Sequence, residues 1–327
     1  MTLRQVFIND AGRLRSGWRL LVFVLTFIAI FFLVTSLVRL AYVVAVIVFP
    51  QAALNNNLQN LLFRSILLFC TLAAAYICTR WLEDLPWRAI GLSLHSGWLR
   101  ELLIGSVVGI GSMAIAVAIA AAAGGLRFSI STASSQVAKT LIVSCGVFIV
   151  AALFEEAMFR GYPLQTLTRA RLAWLGVLVT SAVFAAGHLQ NPNAGRALAT
   201  LNTFLAGVWL AIAFLRTRSL WFPLGVHWAW NWALGSLFGL PVSGLTRLAP
   251  NPLLRGTDLG PSWLTGGAYG IEGGVACTIA LVISTIFIWR TKLVSATEEM
   301  TRLTSQELPR ARSEGIPTFI SDPEVRT

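Results

Sequence analysis

Charged residues are scarce in this chain of 327 residues: they make up 12% of it, about half the share found in soluble domains. Together with a mean hydropathy of +0.72, this scarcity excludes a soluble globular enzyme and an intrinsically disordered chain. Cysteine is also rare, and the four cysteines lie inside apolar stretches with neither metal-ligand spacing nor a disulfide pattern. They exclude a disulfide-stapled secreted domain.

Apolar residues, in contrast, reach 56% and are concentrated in eight long segments. These segments are 18–48, 59–79, 99–123, 137–159, 172–189, 198–215, 219–240 and 268–289. Because about 20 residues cross the hydrocarbon layer as a helix, the sequence predicts an all-α fold, a polytopic transmembrane bundle of about eight helices. The lipid bilayer is therefore an expected partner of the chain.

The arginines and lysines predict how the bundle is oriented. With the N-terminus in the cytoplasm, fourteen of them fall at inner loops and four at outer loops. Cytoplasmic loops carry such an excess, so both termini are predicted to be cytoplasmic. The same distribution accounts for the net charge of +11 without any nucleic-acid partner.

The predicted organisation follows from these segments. It comprises a cytoplasmic N-terminal segment (1–17), N-terminal transmembrane helices (18–136), core helices with the polar residues discussed below (137–240), an outer loop with the final transmembrane helix (241–290) and a cytoplasmic tail (291–327). The tail is polar, has mixed charge and contains Pro309 and Pro317, so we expect it to be flexible.

Ionisable side chains within the apolar segments are the candidate functional residues, because each costs about 2.5–3.5 kcal/mol at the bilayer centre. They are Arg39, Arg64, Lys139, Glu155, Glu156, Arg160, His188, His227 and Glu272. Arg39, Arg64 and Lys139 can extend from near a helix end to the interface, and we interpret them as structural. We interpret Glu272 as an interfacial acid at the start of the last helix, where the helix dipole favours it.

Glu155, Glu156 and Arg160 lie on one predicted helix. Glu156 and Arg160 are four residues apart, so they meet on one face and form a candidate structural ion pair. Glu155 points about 100° away and has no basic partner on its own helix. It is the candidate general base; in the alternative interpretation, both acids belong to a helix-stabilising ion cluster.

Two of the three histidines also lie in apolar segments. His188 follows Phe184 at i,i+4, and His227 precedes Asn231 at the same spacing. Either histidine alone could be a packed, hydrogen-bonded residue, but with Glu155 they make up the parts of a water-activating site. There, Asn231 and His227 would donate to an oxyanion, and His188 would hold the water or orient Glu155. Glu155, His188 and His227 could also bind zinc, so zinc is permitted although no cofactor is required.

At these residues the sequence resembles the CPBP family of intramembrane proteases, which includes the type II CAAX prenyl endopeptidases and many bacterial Abi-type proteins. The family motifs stand here as Glu155-Glu156-x-x-x-Arg160, Phe184-x-x-x-His188 and His227-x-x-x-Asn231. They occur in order and each lies in an apolar segment. The resemblance covers about 137–235.

The resemblance implies an intramembrane endopeptidase, glutamate-dependent or metallo-type, that hydrolyses a membrane-associated protein or a lipidated peptide such as a prenylated C-terminus. It implies that Glu155 activates water and that His227 and Asn231 bind the oxyanion. The usage of 23 arginines against 2 lysines is typical of a GC-rich bacterial genome, so we expect the bacterial plasma membrane as location. The alternative is a non-catalytic immunity or scaffold protein, or a transporter, that uses the same polar cluster.

The predicted topology conflicts with this site in one respect. Segment 137–159 ends about one turn after Glu155, whereas His188 falls at the opposite end of segment 172–189, roughly 20 Å away. Either part of the chain between them lies along the membrane interface, or the predicted helix ends are wrong.

Overall fold

A computed structural model describes residues 3–49, 51, 54, 56–132, 134–246 and 248–305, and these are mostly helical. The helices are α1 (Leu3–Phe7), α2 (Ser16–Val48), α3 (Asn56–Glu83), α4 (Trp98–Ala122), α5 (Ser134–Glu156), α6 (Gln165–Arg169), α7 (Ala173–His188), α8 (Ala197–Thr217), α9 (Trp221–Trp232), α10 (Ser262–Thr265), α11 (Val275–Arg290) and α12 (Glu298–Ser305). Two π-helical stretches, Ala157–Leu164 and Ala233–Leu237, continue α5 and α9. The all-α membrane bundle predicted from the sequence is confirmed.

Five helical spans in the described part of the chain are long and apolar enough to cross a membrane. They are Ser16–Val48, Leu61–Glu83, Trp98–Ala122, Ser135–Arg169 and Ala197–Thr217. Helices α7 and α11 are also apolar but shorter, with 16 residues each. All eight predicted apolar segments are thus largely helical, while the predicted cytoplasmic side of the two termini stays a prediction.

Helix α2 lies at the periphery of the bundle and exposes apolar side chains along most of its length. Phe32 is 65% exposed, Leu33 61% and Leu37 58%. Such a continuous apolar surface would aggregate in water, and it suits contact with lipid chains. The buried core lies instead among α4, α8, α9 and α11, around side chains such as Met113 and Trp209.

The helix that carries Glu155 does not end at residue 159 as predicted. It continues through the π-helical stretch into α6 and ends at Arg169. A proline interrupts the regular hydrogen bonds of an α-helix, and Pro163 lies inside this π-helical stretch, which keeps the chain helical. The predicted end was wrong because a charged residue and a proline interrupt the apolar run there, although the backbone remains helical.

Helices α4 and α9 cross at a contact made by glycines. A Cβ atom on Gly225 would lie 2.3 Å from the Leu102 carbonyl oxygen, and one on Gly105 would lie 2.3 Å from the Phe222 carbonyl oxygen. Small residues let membrane helices approach closely at such crossings. This contact fixes the position of α9, which carries two of the candidate site residues.

Gly225→Ala should therefore destabilise the protein by about 1–3 kcal/mol, because the added methyl group forces α4 and α9 apart. Thermal unfolding of the detergent-solubilised protein measures the effect. Gly111→Ala is the matched control on α4, because no atom of a described residue lies within 4 Å of the place that its added methyl group would take, and alanine favours the helix. Equal stability of the two variants would show that the close crossing is not required.

A buried ion cluster joins α2, α3 and α6 near the first turn of α2. Glu83 pairs with Arg19 at 3.1 Å and with Arg169, and it accepts a hydrogen bond from the Thr166 hydroxyl at 2.7 Å. Glu83, Arg19 and Arg169 are each 3% exposed or less. Because the Glu83 carboxylate bonds side chains of both α2 and α6, the ends of α3 and α6 are held at the same level.

The loops hold two short strands that the sequence did not predict. Strand β1 (Leu126–Ile130) pairs with β2 (Leu254–Asp258) in an antiparallel ladder. The last long helix begins at Val275 rather than at residue 268, because Gly270 has a φ of +95°, outside the helical region. The predicted outer loop therefore contains ordered structure and is longer than expected.

The predicted flexible tail is ordered where it begins. Helix α12 buries Met300 and Thr304 completely. The Glu299 carboxylate accepts hydrogen bonds from Arg88 at 3.1 Å and from the Ser93 hydroxyl at 3.0 Å. The prediction of a flexible tail from residue 291 is thus wrong for 298–305, and residues 306–327 lie outside the described part of the chain.

Candidate active site

The candidate residues from three separate helices line one cavity of about 340 Å³. Glu155, His188, His227 and Asn231 all contribute to its wall, among apolar side chains such as Phe148 and others from the surrounding helices. A volume above about 300 Å³ suits a small ligand or a short peptide segment. The sequence motifs therefore meet in space, as a single site requires.

Behind the cavity wall, Glu156 and Arg160 form the expected i,i+4 contact. Both side chains are 0% exposed, and a hydrogen bond of 3.0 Å joins Arg160 Nη1 to Glu156 Oε1. Arg160 Nη2 also donates to the Gly207 carbonyl oxygen at 2.9 Å, and its guanidinium lies 4.9 Å from the centre of the Phe184 ring. The pair thus ties α5 and its π-helical extension to α7 and α8.

The same carboxylate orients His227. The Nδ1 atom of His227 lies 2.8 Å from Glu156 Oε1, and because a carboxylate oxygen accepts, Nδ1 carries the proton. The Nε2 atom then points to the other glutamate, at 3.6 Å from Glu155 Oε2. Glu156 therefore bonds both Arg160 and His227, and this second contact was not predicted from the sequence.

Glu155 differs from its neighbour in exposure and in contacts. Its side chain is 19% exposed, against 0% for Glu156. The Oε2 atom is buried and makes no hydrogen bond to any residue that the structure describes. Glu155 is therefore the carboxylate that faces the cavity with an oxygen free to accept a hydrogen bond.

His188 and Asn231 complete the wall. His188 Nδ1 donates to the Phe184 carbonyl oxygen at 2.8 Å, which leaves Nε2 as the atom able to accept a hydrogen bond. The Phe184 ring lies between the two histidines, with its centre 4.5 Å from the His188 ring and 6.1 Å from the His227 ring. Asn231 is half-buried, and its amide makes no hydrogen bond within the described residues.

The longer helix removes the conflict over the depth of His188. Glu155 lies about 14 residues before Arg169, roughly 21 Å along the helix. His188 lies 15 residues after Ala173, at the start of α7, roughly 22 Å along. Since only a short turn separates the end of α6 from α7, the two side chains reach the same level. The predicted end at residue 159 had caused the conflict.

Glu272 was interpreted from the sequence as an acid at a helix start, and its carboxylate has partners that this interpretation did not include. Its carboxylate accepts hydrogen bonds from Trp230 Nε1 at 2.9 Å and from the Ser243 backbone N–H at 2.6 Å. It lies on a 3-10 turn before α11 and lines the cavity. Glu272 thus joins α9 to the loop that follows it, a contact between residues distant in sequence.

Arg64 was expected to extend to the interface, but it lines the same cavity. It is half-buried on α3, outside the region of the three motifs. The sequence did contain a signal for it, a charged residue inside an apolar segment, but nothing in the sequence relates α3 to α5, α7 and α9.

A preformed zinc site does not fit these side chains. Among the described residues, no three His, Cys, Asp or Glu side chains are grouped closely enough to hold a metal ion. We therefore derive no step of a reaction through a metal.

Comparisons with known proteins agree with the site. The family model for "Type II CAAX prenyl endopeptidase Rce1-like" matches residues 136–233, which include all four cavity residues from the motifs. An Escherichia coli protein, described only as an uncharacterized 24.3 kDa protein, is 31% identical over 188 residues, 55% of this chain and 82% of the relative. No solved structure is significantly similar to the chain.

The fold, the site and the family match define a multi-pass membrane protein of a CAAX-type intramembrane protease class. The chain belongs to the family of Rce1-like type II CAAX prenyl endopeptidases. The E. coli relative supports the bacterial plasma membrane as its location.

Proposed function

We propose that this protein hydrolyses a peptide bond of a membrane-associated substrate, with Glu155 as the general base and without a metal ion. The convergence of Glu155, His188, His227 and Asn231 on one cavity is the observation that supports the proposal. Prenylated C-terminal peptides are the first substrates to test, since the matching family model describes prenyl endopeptidases.

The attacking water has a suitable place between Glu155 and His227. The 3.6 Å between Glu155 Oε2 and His227 Nε2 is too long for a direct hydrogen bond, and one water can lie about 2.8 Å from both atoms. Glu155 takes a proton from this water as the water oxygen attacks the scissile carbonyl carbon. The second hydrogen of the water donates to His188 Nε2, which holds the oxygen in line.

The oxyanion that forms on the carbonyl oxygen would be bound by Asn231 Nδ2–H and by His227 Nε2–H, which bonds the water oxygen before the attack and the oxyanion after it. Because Nδ1–H of His227 already donates to Glu156, donation from Nε2 requires the imidazolium. Two carboxylates and Arg160 leave one negative charge in the cluster, and an imidazolium at His227 balances it. Glu155 then passes its proton to the leaving nitrogen, and the C–N bond breaks.

Asn231→Ala should lower kcat by about 10²- to 10³-fold with little change in KM, because the amide binds the oxyanion and not the ground-state substrate. Cleavage of a fluorogenic farnesylated peptide by the purified protein measures both constants. Asn251→Ala is the matched control, since this asparagine lies outside the cavity, in the loop before β2, and its side chain makes no hydrogen bond to a residue that the structure describes. An unchanged kcat in the Asn231 variant would remove the residue from the oxyanion site.

A further inference from the structure

We propose that Arg64 binds the free C-terminal carboxylate of the substrate and so restricts hydrolysis to bonds near a chain end. This inference rests on the proposed function and adds a binding group to it. No motif of the sequence includes Arg64, and the family model begins well after it. The structure alone brings it to the cavity that holds Glu155.

Among the residues that the structure describes, the guanidinium of Arg64 has no counterion. No hydrogen bond or ion pair joins it to another residue among those that the structure describes, although it is half-buried in an apolar part of α3. The buried arginines of the bundle differ: Arg19 and Arg169 pair with Glu83, and Arg160 pairs with Glu156. A charge at membrane depth is costly without a partner, so the missing anion is expected from a ligand.

The other charged or titratable groups that line the cavity are Glu155, His188, His227, Glu272 and Cys277. Glu155 faces His227 at 3.6 Å, and Glu272 is held by Trp230 and Ser243. Among the described residues, neither acid lies within 4.0 Å of Arg64. The carboxylate that pairs with its guanidinium therefore has to come from a ligand.

The position of Arg64 along its helix places it close to the level of Glu155, where the scissile bond would lie. Arg64 lies 19 residues before Glu83, roughly 28 Å along α3. Glu155 lies roughly 21 Å before Arg169, and Glu83 and Arg169 are joined by the buried ion cluster. Helix α3 packs beside α5. Measured along the helix axes from the ion cluster, Arg64 therefore lies roughly 7 Å farther away than Glu155, a distance that about two extended residues cover.

The chemistry of the cavity favours a peptide terminus over the other anion available in a membrane, a lipid phosphate. Apolar side chains such as Phe154, Leu210 and Leu281 line the space between the helices. They suit a short apolar peptide end whose only charge is the terminal carboxylate. The planar guanidinium matches carboxylate and phosphate alike, so the apolar lining is the observation that favours the peptide terminus.

The test compares a fluorogenic farnesylated peptide as its free acid and as its C-terminal amide. For the native protein, amidation should lower kcat/KM by about 10- to 100-fold, the range of a charge-assisted hydrogen bond. Arg64→Gln should lower kcat/KM for the acid by a similar factor, so that this variant has the same kcat/KM for acid and amide. Arg64→Lys should restore part of the preference. Arg39→Gln is the matched control, because Arg39 is exposed on α2 and away from the cavity.

Binding of the two peptides to the Glu155→Gln variant separates this inference from the proposed hydrolysis. One outcome is that the acid binds more tightly than the amide, that Arg64→Gln abolishes this preference, and that the native protein cleaves neither peptide. This outcome would support the role of Arg64 in binding and refute hydrolysis of this peptide. Cleavage of acid and amide at equal rates would support hydrolysis and overturn the role of Arg64. Neither binding nor cleavage would overturn both.

Membranes of defined composition distinguish a lipid phosphate from the peptide carboxylate. In a phosphate-free detergent and in nanodiscs of phosphatidylcholine, whose headgroups each carry a phosphate, the acid preference of the native protein should be the same. If Arg64 binds lipid phosphate instead, the phospholipid should alter the rate for acid and amide equally, and Arg64→Gln should abolish that response. This result would contradict the assignment of a peptide carboxylate.

Discussion

Glu155→Gln should lower peptide hydrolysis by about 10²- to 10⁴-fold, because an amide cannot take the proton of the attacking water. The substitution keeps the size of the side chain. Glu155 is partly exposed and bonds no other described residue through Oε2, so the fold should be unaffected. We expect native thermal unfolding together with the loss of kcat, both measured on the purified protein in detergent.

Glu155→Asp provides the matched control for this loss. It keeps the carboxylate but withdraws it by one methylene group, so its activity should lie between that of the native protein and that of the glutamine variant. Hydrolysis by Glu155→Gln at the native rate would show that another group activates the water.

Glu156→Gln should destabilise the fold, with a loss of about 3–5 kcal/mol in the free energy of unfolding. The substitution leaves the buried guanidinium of Arg160 without its anion, while both side chains are 0% exposed. It also removes the charge beside His227 Nδ1. Unfolding of the solubilised protein by titration with a denaturing detergent measures the loss.

The double variant Glu156→Gln with Arg160→Gln removes both buried charges and should recover part of that stability. Glu155→Gln is the second comparison, one residue away and chemically identical. If Glu155→Gln were the destabilised variant and Glu156→Gln the stable one, the roles of the two glutamates would be reversed.

The hydrophobic pattern of the sequence was sufficient to predict the long apolar helices, and the motifs were sufficient to predict which side chains line one cavity. The hydrophobic pattern was not sufficient at Arg160 and Pro163, where it ends a segment although the helix continues to Arg169. The pattern contains no information on whether a charge is neutralised inside the bundle. Glu156 neutralises Arg160 there.

Residues that depend on contacts between distant helices were missed for a related reason. Glu272 bonds Trp230 and Ser243, and Arg64 reaches the cavity from a helix far earlier in the chain. Strands β1 and β2 pair across more than a hundred residues, and short strands in loops have no periodic pattern. Such features follow from tertiary packing, which one sequence does not specify locally.

The central claim is that Glu155 activates water for peptide hydrolysis without a metal ion. The most direct test is cleavage of the fluorogenic farnesylated peptide by the purified protein and by Glu155→Gln, each with and without a zinc chelator. The account predicts cleavage by the native protein, unchanged by the chelator, and a loss of at least about 10²-fold in the variant. Cleavage abolished by the chelator and restored by zinc, or native cleavage by the variant, would contradict it.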